Sequence, residues 1–350
     1  MRIQIKTSRW LTKVLTLALV GNILNAQLEN KQDISKRGTT AAQFLKISTG
    51  GRGTAMGSAI VAICTDLTSS YWNPAGLAHM KGIQVYFENN DWLAGTDHHF
   101  GAVGFSWPSV GVFSLSLNML STPDDLVRTV ENPKGTGEKF NAQDLSIGLT
   151  VARNLTDRLS LGATIKNIRQ RIWHSSGQVM AIDIGVQYKT PIRDIMLGAS
   201  ISNFGNDLSL SGRDMNISVD PDPGNQGNVE FVNAEYQTDA FPLPLFFRVG
   251  IGGYLINTSL LKTVFAIDAI HPNDNYEYLN LGIEAAYNEL VYIRAGYPSL
   301  GKDDSIEGPT FGTGIHYRIP RTSTTLKLEY SVADFGPLGM IQRLSIGYHF

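Results

Sequence analysis

One cysteine, Cys64, occurs in 350 residues. A lone thiol excludes a disulfide framework and a cysteine-rich zinc site, and it reads as a small buried apolar side chain. Charge of one sign is missing too: 29 Lys and Arg against 31 Asp and Glu leave −2 at pH 7. That balance excludes a strongly basic nucleic-acid binder and an acidic tail. No apolar run approaches the roughly 18 residues of a membrane-spanning helix, so a helical bundle in the bilayer is excluded. At 43% hydrophobic residues the chain is also too apolar to stay disordered.

Chemical motifs are equally scarce. Gly51-Arg52-Gly53 with Gly57 lacks the strand–turn–helix setting and the later acid of a dinucleotide loop. No glycine-rich run leads into the Lys-Ser/Thr of a P-loop. His98 and His99 are adjacent, would point to opposite faces of a strand, and read as solvated loop-edge histidines rather than metal ligands. Asp220-Pro221-Asp222-Pro223-Gly224-Asn225 is rich in oxygen ligands, but its prolines restrict their convergence on a calcium ion, and it reads as a solvated turn. The apolar strand faces carry no Ser–His pair for acyl hydrolysis. The expectation is a non-enzymatic protein with no catalytic, cofactor or metal site and no nucleic-acid partner.

What the sequence does hold is alternation with a period of two. Ile83, Val85 and Phe87 make one apolar face; Val103, Phe105 and Trp107 make the next. The pattern recurs through Leu145–Val151, Leu159–Ile165, Met180–Tyr188, Phe247–Ile251, Leu279–Tyr287 and Leu326–Val332. It closes on Leu344, Ile346, Tyr348 and Phe350. Period two is a strand with one greasy face. About fourteen such strands of roughly 9–11 residues have the length of tilted membrane-spanning strands.

None of the apolar sets contains a charge. The intervening positions do: Asp144, Lys166, Asp183, Lys189, Arg248, Lys262, Asp268, Glu284, Arg294, Arg318, Lys327, Glu329 and Arg343. A charge facing lipid at the bilayer midplane costs about 2–4 kcal/mol, whereas the lumen of a barrel tolerates it. A soluble sandwich with one wet face would scatter Lys and Glu over both faces. The thirteen charges are therefore expected to face a lumen and to bond what fills it. Trp107, Tyr188, Tyr287, Tyr297, Tyr317, Tyr348 and Phe350 fit interfacial girdles. Connections alternate between short (108–110, 154–157, 190–193, 257–260, 288–289, 320–322) and long (88–97, 120–141, 171–177, 205–244, 271–277, 298–309, 334–341). Short periplasmic turns and long surface loops are the pattern of an outer-membrane barrel.

The first 26 residues read as a secretory signal: Arg2, Lys6, Arg9 and Lys13, then the apolar Val14 to Leu24, then Leu24-Asn25-Ala26 as a cleavage site. No Cys follows for a lipid anchor. The organisation expected is thus a signal peptide over 1–26, an N-terminal segment over 27–81, and an all-β antiparallel barrel over 82–350. A barrel of about fourteen strands is wider than its lining side chains can fill. Residues 27–81 can fold inward as a plug or hatch. Gly51, Gly53, Met56, Gly57, Trp72, Asn73, Pro74, Ala75 and Gly76 supply the close backbone approaches and the tight turn that a plug needs.

The stretch from Gly51 to Ala78, with Met56-Gly57, Ala59-Ile60-Val61-Ala62, Asp66 and Tyr71-Trp72-Asn73-Pro74-Ala75-Gly76-Leu77-Ala78, resembles the N-terminal motif of the PorV/PorQ family. Its Asn-Pro-Ala element also occurs in FadL-type barrels. Phe140–Leu145, Ala152–Asp157, Leu161–Lys166, Ala181–Gly185 and Gly198–Gly205 add to the likeness, which covers nearly all of 40–350. The resemblance implies a FadL-like fourteen-stranded outer-membrane barrel, a role in type IX protein secretion or surface attachment, and secretion subunits and cargo C-terminal domains as partners beside the membrane lipid. The long polar loop 205–244 departs from a clear PorV pattern. A second function class stays open: a FadL-like channel for hydrophobic solutes.

Overall fold

The computed structural model describes residues 36–222, 224, 231–302 and 305–350. The expected signal peptide, the start of the N-terminal segment and most of the tip of loop 205–244 lie outside the described residues. Residues Arg37–Phe350 form one compact unit.

Fourteen antiparallel strands close on themselves. They are β1 (Ile83–Asp91), β2 (Asp97–Trp107), β3 (Gly111–Ser121), β4 (Ala142–Asn154), β5 (Leu159–Ile172), β6 (Ser175–Lys189), β7 (Met196–Gly205), β8 (Phe246–Asn257), β9 (Leu261–Pro272), β10 (Tyr278–Tyr287), β11 (Val291–Leu300), β12 (Thr310–Arg318), β13 (Thr325–Asp334) and β14 (Met340–His349). Each pairs with its chain neighbours, and β14 returns to β1 in the register Gln84↔His349 to Asn90↔Arg343. Closure leaves no unpaired edge, which is what a sheet in hydrocarbon requires.

Alternation decides the faces. β1 alternates exposed and buried over its whole length, with Ile83, Val85 and Phe87 outward and Gln84, Tyr86, Glu88 and Asn90 inward. The same outward row continues around the wall through Leu149, Ile165, Ile184, Val249, Ile293, Phe311 and Leu344. This exposed apolar belt turns the usual soluble arrangement inside out, so the barrel spans a membrane of the outer-membrane type. Trp107, Tyr188, Tyr287, Tyr317, Tyr348 and Phe350 ring its short-turn end, and Phe204, Phe247, Tyr297 and Phe311 its long-loop end.

The connections differ from expectation in detail. The β5–β6 link, expected as a long loop over 171–177, is a two-residue hairpin at Trp173-His174, with Trp173 in the left-handed region (φ 51°). β5 and β6 carry the polar residues Arg171, Ser175 and Ser176, which look like loop in sequence. They stay in the sheet because Arg171↔Ser176 and Gln143↔Arg171 pairing continues past the apolar belt. β1 likewise runs on to Asp91, so the loop expected over 88–97 shrinks to 92–96. The longest connection, 206–245, carries its own hairpin, Asn216–Val219 against Val232–Glu235.

Candidate functional site: a filled lumen beneath a cavity

Residues 40–80 run through the lumen as short helical pieces: Gln43–Lys46, Gly51–Ala55, Ser69–Trp72 and Pro74–His79. Local rules explain the last. Asn73 caps it by accepting from Ala75 N (3.1 Å), and Pro74 takes the first helical position, where no N–H is needed. The cap is tied outward as well, because Asn73 Nδ2 donates to Val61 O (2.9 Å) and to Val186 O on β6 (3.0 Å). Trp72 Nε1 donates to Thr49 O (2.9 Å) and Tyr71 Oη to Leu45 O (3.1 Å), folding the segment onto itself. Met56, Ile60, Leu67 and Leu77 are fully buried and form its apolar centre, with Cys64 among them.

Glycine sets how closely segment and wall approach. Gly57 (φ 62°) lies against the backbone of Leu281 and Tyr297, and a Cβ on Gly296 would overlap Gly57 N. Across the lumen Gly162 and Gly185 leave room for Asn73 and Pro74 in the same way. Of the other motif residues, Gly51 donates its N–H to Tyr86 Oη (3.1 Å), Gly53 packs on the Trp72 indole, Ala75 is fully buried, and Gly76 lies on Cys64 and Ser69.

The inward charges meet this segment. Arg52 grips Glu284 with two parallel bonds, Nε to Oε2 and Nη2 to Oε1, both 2.9 Å. Glu284 also accepts from Arg294 Nε (2.6 Å), and Arg294 pairs with Glu329 (3.0 Å). Bidentate, charge-assisted bonds of this kind offset the desolvation of buried ions only because each ion has several partners. Asp268 accepts from the backbone of Ile60 (2.6 Å) and Val61 (2.9 Å). Arg248 donates to Ser202 Oγ (2.8 Å) and faces the rings of Tyr71, Trp72 and Phe246. Lys166 pairs with Asp183 (2.6 Å), wall to wall, and with Asn203 (2.9 Å). Asp144, half-buried towards the long-loop end, accepts from Gln170 (3.0 Å), while Lys327 sits half-buried near the short-turn end. Lys189, Lys262 and Arg318 are a correction to the expected lumen set. They fall at the short-turn rim, Lys189 and Arg318 exposed and Lys262 half-buried, where Lys189 pairs with Asp194 and Lys262 with Glu289, because strand parity says nothing about depth.

His98 corrects a second expectation. It is fully buried in the lumen, its Nε2 2.7 Å from Asn118 Oδ1, while His99 faces outward and stacks on Phe87. The longer β1 places Asn90 opposite His98 and so draws it inside. Glu88 was hidden by the same misplaced loop; it is buried beside Tyr86, its parity with Gln84 being the signal that could have found it. Asp274 had no such signal. It lies between β9 and β10, 1% exposed, and bonds Lys46 and Thr40 of the N-terminal segment. Burial pushes its carboxyl up, but Lys46 and the hydroxyl of Thr40 more than reverse this and hold it below the usual range.

Above the segment, at the long-loop end, lies a cavity of about 310 Å³. Phe44, Ile47, Trp92, Leu120, Pro298 and Phe335 give it apolar walls, and Lys46, Glu307, Asp334 and Arg343 stand among them. Trp92 packs edge-on against Phe335 (centroids 5.3 Å apart), and the Arg343 guanidinium lies 5.4 Å from the centroid of the Trp92 ring. No group of His, Cys, Asp and Glu suited to a metal ion occurs among the described residues.

No protein-family model matches this chain, and no curated protein matches it. Solved structures do. The CymD monoaromatic hydrocarbon channel shares 14% identity at a TM-score of 0.52, over 87% of this chain and 98% of that one. The toluene transporter TodX of Pseudomonas putida shares 12% at 0.52, over 86% and 97%. The toluene transporter TbuX of Ralstonia pickettii shares 14% at 0.51, over 86% and 97%. At such identities the likeness is one of fold, a FadL-like barrel of fourteen strands.

Proposed function

We propose that this chain is an outer-membrane channel for hydrophobic small molecules. The observation that carries the reading is the cavity of about 310 Å³ at the long-loop end, apolar in its walls and floored by the N-terminal segment. Its volume falls within the roughly 300–1,000 Å³ of small-molecule sites. The fold neighbours described as transporters of toluene or channels for monoaromatic hydrocarbons favour the same reading. Phe44, Trp92 and Phe335 would hold an aromatic or aliphatic solute by burial and ring contact. Uptake of labelled toluene into proteoliposomes tests this. We expect uptake well above that of protein-free vesicles, and about tenfold less for Leu120→Arg, which sets a charge in the apolar wall at a cost of several RT. Uptake no faster than that of empty vesicles would remove the reading.

A second reading, a PorV/PorQ-like component of type IX secretion that handles exported cargo, rests on the Gly51–Ala78 motif. Phe231, Tyr236 and Phe241, exposed on the longest loop, favour it, since exposed aromatics suit a protein partner. Affinity purification from the native outer membrane separates the two: secretion subunits or cargo C-terminal domains would co-purify only under this second reading.

A further inference from the structure

The outer face of β5 runs on past the apolar belt. Leu161, Ala163 and Ile165 face lipid, and the same parity continues as Asn167, Arg169 and Arg171. Cross-strand pairing fixes their depth. Arg169 pairs with Leu145, the last apolar residue of the outward row on β4, and Asn167 pairs with Met180, the last on β6. Arg169 therefore stands at the long-loop edge of the belt, where hydrocarbon gives way to headgroups, and Arg171 one step beyond it. Among the described residues, no other Lys or Arg faces outward from the fourteen wall strands at this end.

Neither arginine has a counter-ion. Like charges two positions apart on one strand face lie about 7 Å from each other and repel. Arg169 is exposed, and its guanidinium has no partner among the described residues. Arg171, half-buried, donates through Nη2 to Asn141 Oδ1 (2.6 Å), a neutral group. The acids on this side are engaged elsewhere or out of reach. Asp124 accepts from the Asn141 amide (2.8 Å) and lies 3.9 Å from Lys139. Glu138 and Asp214 face His174 and Arg213, and Asp144 points inward to Gln170. Asp97 shares the level of Arg171 through Asp97↔Ser121, Ser121↔Gln143 and Gln143↔Arg171. Three strand spacings put it roughly 14 Å away, beyond a Debye length. Gln143 and Gln178, the cross-strand partners of Arg171 and Arg169, add amide groups to the same face.

The geometry points to a binding site for a phosphate-bearing lipid on the outer face of β5, in the leaflet that meets the long-loop end. Guanidinium forks match the non-ester oxygens of a phosphate, and a phosphate between Arg169 and Arg171 relieves their repulsion. Acyl chains below it lie along Ile147, Ile165 and Ile182, all exposed on the belt. A soluble anion would gain the same charge contact without that apolar one. The site is outside the barrel and does not depend on what the lumen carries.

Native mass spectrometry of the full chain in a neutral maltoside detergent, titrated with bisphosphorylated lipid A, tests the site. We expect lipid A to bind, and the same lipid stripped of its phosphates to bind about tenfold more weakly. Arg169→Gln and Arg171→Gln should each weaken binding about fivefold, and the double variant roughly twentyfold, while the barrel stays heat-modifiable. Arg169→Gln, which breaks no bond, carries the test if the double variant does not assemble. Arg158→Gln, in the short turn between β4 and β5, removes the same charge from the other rim and should leave binding unchanged. Equal binding of both forms of lipid A, an equal loss in Arg158→Gln, or wild-type binding by assembled variants of Arg169 and Arg171 overturns the proposal. So does displacement of the lipid by an equal concentration of inorganic phosphate, which would assign the two arginines to a soluble anion.

Discussion

At the scale of single residues, the N-terminal segment is held by a few multiply bonded side chains. Arg52 reaches Glu284 with both ends of its guanidinium, and Glu284 is shared with Arg294, which is fully buried. Removing one member strands the others in a dry lumen, a loss on the order of 3–5 kcal/mol. Arg52→Ala should therefore release residues 40–80 to limited proteolysis in detergent while leaving the strands folded. A proteolysis pattern identical to the wild type would show that the packing of Met56 and Ile60 holds the segment alone. Asn73→Ala should act more gently. It frees the carbonyl of Val186 and the N–H of Ala75, groups that cost about 1–3 kcal/mol each when buried and unpaired, while Val61 O keeps its bond from Gln187. We expect a lower thermal midpoint for the segment, with Asn73→Asp recovering only the bond to Ala75.

At the scale of elements, two attachments can be probed separately. The closing strand β14 pairs with β1 as far as His349, and Phe350 N donates to Ile83 O at 2.9 Å while its ring stacks on Tyr348. Deleting Phe350 should lower the yield of heat-modifiable barrel, because closure loses a ladder bond and a girdle ring together. An unchanged yield would make the terminal ring incidental. The second attachment is the tie from the β9–β10 loop to the 40–46 region through Asp274. Its carboxyl titrates below the ordinary range of about 3.9. The stabilisation is present above that range and is lost as pH falls through the lowered value. Protection of residues 40–46 against hydrogen exchange should thus be flat from pH 8 to pH 5 and fall only in stronger acid, whereas Asp274→Asn should lose it throughout. Loss of protection near pH 6 in the wild type would assign the control to another group.

At the scale of the whole molecule, all the connections of one end are short and those of the other are mostly long. By the outer-membrane pattern of short periplasmic turns and long surface loops, Thr156 and Thr258 are expected in the periplasm and Tyr236 at the cell surface. An impermeant thiol reagent applied to intact cells should then label Tyr236→Cys but not Thr156→Cys, and the reverse would invert the barrel. Filling of the lumen makes a second expectation. Deleting residues 40–78 removes the structures that occupy it, so planar-bilayer conductance should rise from near silence to that of a wide pore. The fold neighbours share this barrel at only 12–14% identity, and a fold does not by itself carry a function, so function is to be sought in the lumen and its filling.

Alternation alone settled the strand count, the antiparallel barrel, and which residues face lipid, because a period of two is a local property and an apolar face has nowhere else to go. The Asn73-Pro74 turn was legible for the same reason: its bond from Ala75 N to Asn73 Oδ1 lies within two residues. Depth, partners and strand ends were not legible. Parity could put Lys189, Lys262 and Arg318 on the inner face but not say that they sit at the rim. Polar residues such as Arg171 read as loop until pairing with Gln143 of β4 and Ser176 of β6 kept them in the sheet. The grip of Arg52 on Glu284 and of Asp274 on Lys46 joins residues more than 200 positions apart. Contacts of that separation depend on closure of the barrel around a segment from the other end of the chain, and no local pattern encodes them.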